Sequence, residues 1–310
     1  QTNVSCNGGN NGSATVTASG GTGSYTFSWL PAGGTAASAT GLSAGVYTCT
    51  ITDAGGCTAS KTVTITQPLA LSVSSSQTNV SCNGGNNGSA TVTASGGSGS
   101  YTFSWAPAGG TAATATGLSA GIYTCTITDA GGCTATKTVT ITQPLALSVS
   151  SSQTNVSCNG GSNGSASITA SGGTGSYNYT WTPAAGTTAT ATSLTAGTYT
   201  CNVKDANGCN ISKDVIISQP LAIDKTISVN GMQLSANQVG GTYQWVDCSN
   251  ANSLIPGAVG KVFTPKLNGS YAVLLNIGGC FYTSLCQSIA VKTTYSSYPN
   301  PSNGLFDVDL

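Results

Sequence analysis

The chain has 310 residues, with a net charge of zero and charged residues at only 5%. All eight bases are Lys and all eight acids are Asp, so Arg, Glu and His are absent. This excludes Ser–His–Asp and Cys–His catalysis, His-bearing zinc sites and glutamate pairs, and it removes the basic footprint that nucleic acids or anionic membranes need.

No catalytic, metal-binding or cofactor-binding residue is therefore expected. The 42 glycines suggest low complexity, but the few large residues are regularly spaced, which argues for a fold. No apolar run reaches the ~20 residues of a membrane-spanning helix. Gln1 does not begin a signal peptide. The expectation is an internal piece of a longer chain, with any export signal upstream.

In chain order, the first predicted strands alternate with period two. Ala14, Val16 and Ala18 share one face of 13–18. Tyr25, Phe27 and Trp29 share a face of 25–29, Tyr47, Cys49 and Ile51 one of 47–51, and Val63 and Ile65 one of 62–66. Thr fills most alternate positions, so these are half-buried antiparallel strands. Between them lie turn sequences: Asn7-Gly8-Gly9, Gly20-Gly21-Thr22-Gly23, Gly33-Gly34 and Asp53-Ala54-Gly55-Gly56. The aspartates of the last turn and its repeats suggest hairpins rather than calcium, since each turn has one carboxylate. About seven strands, a central Trp and a Tyr47 corner predict an all-β, immunoglobulin-like antiparallel sandwich.

The pattern recurs at a step of 76 residues. Cys6, Cys82 and Cys158 keep it, as do Cys49, Cys125 and Cys201, Cys57, Cys133 and Cys209, and the tryptophans 29, 105 and 181. Residues 1–76 and 77–152 differ at five positions only: 22/98, 30/106, 38/114, 46/122 and 60/136. The unit is long enough to close its own core, so tandem beads are expected rather than a solenoid. Each ends in Gln-Pro, where Pro stops a strand ladder. The expected domains are 1–68, 69–144, 145–220, 221–292 and a tail, 293–310. The first repeat lacks a counterpart of 69–76, and its first strand is expected upstream.

The string Asn3-Val4-Ser5-Cys6-x-Gly8, with Gly20-Gly21, Tyr25, Trp29, Gly41-Leu42, Gly45, Tyr47, Asp53, Gly56-Cys57 and Thr66-Gln67-Pro68, resembles the SprB-type repeat of the Bacteroidota. That repeat occurs in very large surface proteins, including gliding-motility adhesins. Residues 225–292, with Tyr243, Trp245, Cys248, Tyr271 and Cys280, resemble another immunoglobulin-like domain. The tail Tyr298-Pro299-Asn300-Pro301-Ser302-Asn303-Gly304 resembles the opening strand of a type A sorting domain of the type IX secretion system. The resemblance implies export by that machinery and an extracellular location, attached to the cell surface or released.

Twelve cysteines in such a chain suggest disulfides. Those expected in disulfides are Cys6, Cys57, Cys82, Cys133, Cys158, Cys209, Cys248, Cys280 and Cys286. Cys49, Cys125 and Cys201 lie on inward positions and read as buried thiols. The family resemblance pairs Cys6 with Cys57. In a sandwich, however, those residues fall at opposite ends, about 25 Å apart for an eight-residue strand, whereas a disulfide needs Cα atoms within about 7 Å. Cys6–Cys133, Cys82–Cys209 and Cys158–Cys280 links between neighbours, with Cys248–Cys286, form the alternative. Cys6–Cys49 is a third.

The residues and the resemblance together suggest a surface adhesin or fibre, with sticky or inert repeats. Polysaccharide, the substratum or lateral self-association are the expected contacts, and no nucleic acid is. A spacer stalk behind an upstream enzyme domain is the alternative. Ice binding by the Thr rows is a further reading, but β-propensity already accounts for them.

Overall fold

The computed structural model describes residues 1–290. They are almost entirely β-structure, with one short 3₁₀ turn at Cys248–Asn250. Two compact units divide them. The first comprises 1–150, 169–180 and 201–213. The second comprises 151–168, 181–200 and the chain from Asp214 onward. The third repeat thus contributes to both.

The first repeat has strands β1 (Gly12–Thr15), β2 (Thr26–Leu30), β3 (Ser38–Leu42), β4 (Gly45–Thr52) and β5 (Thr58–Ile65). Strand β1 pairs with β3, and β2-β4-β5 form the facing sheet. The second repeat has β6 (Leu69–Thr78), β7 (Gly88–Gly97), β8 (Tyr101–Ala106), β9 (Thr114–Leu118), β10 (Gly121–Asp129) and β11 (Thr134–Ile141). Its sheets are β6-β7-β9 and β8-β10-β11, all antiparallel. The third repeat follows the same strand order, from Ser148–Thr154 to Asn210–Ile217.

A full repeat therefore has six strands rather than about seven. The stretch containing Asn79–Asn87 is a loop fixed by side chains, described below, and it contributes no strand. The strand β6 is the segment joining the first repeat to the second. It begins at Leu69 and is the edge strand of the second repeat's sheet.

The alternation seen in the sequence sets the core. In the second repeat Val80, Val92, Trp105, Leu118, Tyr123, Cys125, Ile127, Val139 and Ile141 are buried together, with Val73 of β6 packed against them. Fully burying each Val or Ile side chain contributes about 1.5–3 kcal/mol. Single cores of this size supply only a few kcal/mol net, so cross-links matter.

Polar atoms of the large residues are satisfied in a repeated way. The Trp29, Trp105 and Trp181 Nε1 groups donate to the carbonyls of Ala36, Ala112 and Thr188 at 2.9, 3.0 and 3.0 Å. The Tyr47, Tyr123 and Tyr199 hydroxyls donate to carbonyls four residues upstream, on Ser43, Ser119 and Thr195. This is the tyrosine corner of immunoglobulin-like folds. The fourth domain keeps both devices, Trp245 Nε1 to Gly260 and Tyr271 to Leu267. Its core adds a Phe263 ring stacked on Trp245, with centroids 5.4 Å apart. Tandem immunoglobulin-like sandwiches are thus the fold.

Candidate functional site: the junctions between repeats

Two loops meet at each junction. The first is the cysteine loop, Asn3–Gly9 in the first repeat. Val4 anchors it as a buried core residue, 3% exposed. Its amide donates to Thr66 O at 3.0 Å, and the Asn3 Oδ1 accepts the Thr66 amide at 3.0 Å. The Gly8 amide donates to Gln67 Oε1 at 2.7 Å, and Asn7 Nδ2 to Pro68 O at 3.0 Å. Asn11 accepts the Ser5 amide and donates to its hydroxyl. Gly8 has a positive φ of 75°, which favours glycine.

The Thr-Gln-Pro ending is therefore more than a strand stop. Its side chain and carbonyls clamp the loop that carries Cys6. Gln143 and Gln219 hold the Gly84 and Gly160 amides in the same way, at 2.7 and 2.8 Å. The sequence reading missed this role. The signal was present in Asn3, Asn79 and Asn155 recurring in step with Gln67, Gln143 and Gln219.

The second loop is the aspartate hairpin. Asp129 Oδ2 accepts the Ser98 amide at 2.8 Å, and Oδ1 accepts the Cys133 amide at 2.8 Å and the Gly131 amide at 2.9 Å. One carboxylate thus ties two turns and orients the following cysteine. Burial pushes the Asp129 carboxyl up, but the amides of Cys133, Ser98 and Gly131 outweigh it and hold it below its ordinary value. Asp205 is held low in the same way by Thr174, Cys209 and Asn207 against burial. In Asp53 the amides of Thr22 and Cys57 dominate, and its carboxyl is also low.

At the junction, the cysteine loop of one repeat is bonded to the hairpin of the next. Cys6–Cys133 has Cα atoms 5.6 Å apart and an S–S distance of 2.07 Å. Cys82–Cys209 and Cys158–Cys280 each have Cα atoms 5.7 Å apart. Cys248–Cys286 closes a loop inside the fourth domain, with Cα atoms 6.3 Å apart. The Ser5 carbonyl lies 3.3 Å from Cys133 Sγ, and the Ser81 carbonyl 3.4 Å from Cys209 Sγ. Asn207 Nδ2 also donates to Ser81 O at 3.0 Å. A Cβ on Gly131 would sit 2.7 Å from Ser5 O, so glycine there permits the close approach.

Cys57 corrects the sequence reading. Placed among the disulfide cysteines, and paired with Cys6 by the resemblance, it is instead a free, exposed thiol. Cys6 lies at the far end of the sandwich and is bonded to Cys133. Each link runs from a loop to the hairpin of the following repeat, so the first hairpin meets no loop cysteine among the described residues. Cys49, Cys125 and Cys201 are free and fully buried. Each sits on the central strand of its inner face, Cys49 opposite Trp29. Burial pushes all three thiols above their ordinary value. The residues read as a sorting signal, Tyr298, Pro299, Asn300, Pro301 and Gly304, lie outside the described residues.

The SprB repeat family matches residues 1–34, 74–110 and 150–186. These three segments each hold a cysteine loop and a Trp strand, and together they cover roughly a third of the chain. No curated protein matches the chain. Among solved structures, an amphioxus IgVJ-C2 molecule is similar at 18% identity over 44% of this chain and 97% of its own, with a TM-score of 0.24. The surface layer protein SbsC, domains 1–6, is similar at 16% identity over 87% of this chain and 48% of its own, with a TM-score of 0.27. The insect immune protein hemolin is similar at 14% identity over 88% of this chain and 94% of its own, with a TM-score of 0.22. At these values the structures carry no argument, and the immunoglobulin-like fold rests on the strand pairing and corner tyrosines described above. The repeat match is the informative one: the three repeats are similar to SprB repeats.

Proposed function

We propose that this chain is the C-terminal part of a non-enzymatic cell-surface adhesin or filament protein, exported by the type IX system and acting in attachment or gliding. The observation that carries the reading is the covalent junction between consecutive repeats. Disulfides form outside the reducing cytosol, and a set that links neighbour to neighbour suits a structural array. The SprB match supports a surface repeat protein. The resemblance of 298–304 to a sorting strand supports export by type IX machinery, its partner in that step. An uncharged, Thr-rich exterior can hydrogen-bond surface polysaccharide or the substratum with little dependence on salt. The same neutral surface favours lateral self-association.

The test is immunogold electron microscopy of intact producing cells, with an antibody against one 76-residue repeat. Label strung along surface filaments is the expected outcome, followed by loss of attachment in a deletion strain. Label only in the medium would overturn the surface reading and direct attention to a secreted enzyme that uses these repeats as a spacer.

A further inference from the structure

We infer that the Gln-Pro ending of each repeat keeps the Asn-Gly pair of the cysteine loop from deamidating, and that the exposed turn at Asn230–Gly231 is where the chain undergoes this modification instead. Asn-Gly is the pair most open to it, because glycine has no Cβ to shield its nitrogen.

The reaction needs two free groups. The glycine nitrogen attacks the Asn Cγ, a C–N bond forms, and the bond from Cγ to Nδ2 breaks. Ammonia leaves, carrying away the amide proton, and a cyclic imide remains. Water then opens one of its two carbonyls, giving aspartate or isoaspartate. Water is consumed and ammonia released in equal number. For the first step the glycine N–H must give up its proton, and the carboxamide must turn its carbon toward that nitrogen. A hydrogen bond donated by either group opposes the step.

In the cysteine loops both groups are held. The Gly8 amide donates to Gln67 Oε1 at 2.7 Å while Asn7 Nδ2 donates to Pro68 O at 3.0 Å. Gly84 and Asn83 make the same two bonds, to Gln143 at 2.7 Å and Pro144 at 3.0 Å. Gly160 and Asn159 make them to Gln219 at 2.8 Å and Pro220 at 2.9 Å. The second Asn-Gly pair of the loop, Asn87–Gly88, has both ends of its carboxamide engaged, Oδ1 by the Ser81 amide and Nδ2 by the Ser81 hydroxyl. On the hairpin side, Asn207 Nδ2 donates to Ser81 O at 3.0 Å and the Gly208 amide to Asp205 O at 3.1 Å.

Asn230–Gly231 lies outside this arrangement. It sits at the tip of the hairpin formed by Ile227–Asn230 and Gln233–Ala236, with Asn230 opposite Gln233. Gly231 opens the two-residue turn, where the amide of the first turn residue lies outside the ladder. Both residues are exposed, and a Cβ on Gly231 would meet nothing within 4 Å. The nitrogen is therefore open to approach.

The two places differ in what the product would do. An aspartate at position 83 would turn an oxygen instead of an N–H toward Pro144 O. Isoaspartate there would lengthen the main chain beside Cys82, which carries the bond to Cys209. At position 230 either product only adds a charge to a surface turn.

The test incubates the oxidised full chain in mildly alkaline buffer and maps deamidation by mass spectrometry. Cleavage after Lys61, Lys137 and Lys204 puts Asn7, Asn83 and Asn159 on separate peptides. Asn230 should react at least about tenfold faster than Asn83, which has two bonds to lose. Gln143→Ala frees the Gly84 amide and should speed the reaction at Asn83 about fivefold, leaving Asn7, Asn159 and Asn230 unchanged. Gln143→Glu keeps an acceptor oxygen and should keep Asn83 slow. An Asn83 rate that is the same in all three chains overturns the inference, as does an Asn230 rate no higher than that of Asn83. So does a Gln143→Ala chain in which Asn87 accelerates as much as Asn83, because loop order rather than the glutamine contact would then be the protection. The outcome is independent of whether the protein adheres to anything.

Discussion

The first and second repeats are almost the same sequence in different surroundings. Ile127 is 0% exposed and Asp129 5%, yet Ile51 and Asp53, at the same positions, are only half-buried. Val139 is buried and Val63 is not; Lys137 is half-buried and Lys61 exposed. None of these positions is among the five that differ. The difference comes from strand β6, which lies along one edge of the second repeat and has no counterpart in the first, and from the Ser5–Cys6 loop of the first repeat, which lies over the second repeat's hairpin. Burial of these positions therefore depends on a repeat's own first strand and on the cysteine loop of the repeat before it.

The sharpest way to break this comparison is to remove the link. The pair Cys6→Ser and Cys133→Ser should destabilise the second repeat by about 2–5 kcal/mol, given the long loop that the bond closes. Amide exchange in β10 would report it, and unchanged protection at Ile127 would show that the link is dispensable.

A core truncation should discriminate next. Ile127→Ala is expected to cost about 2–5 kcal/mol, and Ile51→Ala clearly less because Ile51 is only half-buried. Equal costs in urea unfolding would mean that β6 and the cysteine loop add no packing.

Thiol labelling gives a third contrast. Cys57 should react with a maleimide in the folded protein. Cys49, Cys125 and Cys201 should react only on unfolding, being buried with their thiols held protonated. Fast labelling of Cys125 in native buffer would contradict the packing described.

Acid should act on both repeats. The folded-state values of Asp53 and Asp129 lie below the ordinary 3.8. Their contribution is present above that pH and lost as pH falls through the folded values. Asp129→Asn should flatten the acid limb of the stability profile. An unaltered limb would locate the acid sensitivity elsewhere.

The smallest effect should be the same in both repeats. Thr48 and Thr62 hydroxyls lie 3.3 Å apart across β4 and β5, and Thr124 and Thr138 3.2 Å apart across β10 and β11. Removing one partner with Thr62→Ala or Thr138→Ala should cost about 0.2–1 kcal/mol. A marked difference between the two would mean that the neighbour also reaches this outer face.

Much of the fold was legible because period-two alternation is a local signal. Trp29, Tyr47 and Val63 could be assigned to one interior from spacing alone. The Tyr47 corner followed from its place before Cys49. The junction was less legible, because a contact between repeats leaves no period within one. The sequence of Cys57 is indistinguishable from that of Cys133, and only the neighbour decides which is bonded. Gln67 was hidden for a related reason: beside Pro68 it reads as linker, while its partner is the amide of Gly8, 59 residues away. Gly96 gave no warning either: a Cβ there would lie 2.1 Å from Ala70 O, but a glycine in a Gly-Gly turn is explained before any carbonyl above it is considered.

The overlap of the disulfide loops bears on how the molecule responds to pulling. Cys82 lies before Cys133 in the chain, and Cys158 before Cys209, so each loop is entered before the previous one closes. Tension applied at Cys6 and Cys280 can cross to Cys133 through one bond and from Cys158 through another. Only the roughly 25 residues between Cys133 and Cys158 remain to be drawn out, about 85 Å of extended chain. Without the bonds, the same span would pay out about 900 Å. Unravelling the sandwiches therefore cannot draw Cys6 and Cys280 further apart than that span and the two bonds allow, until a covalent bond is reduced or broken.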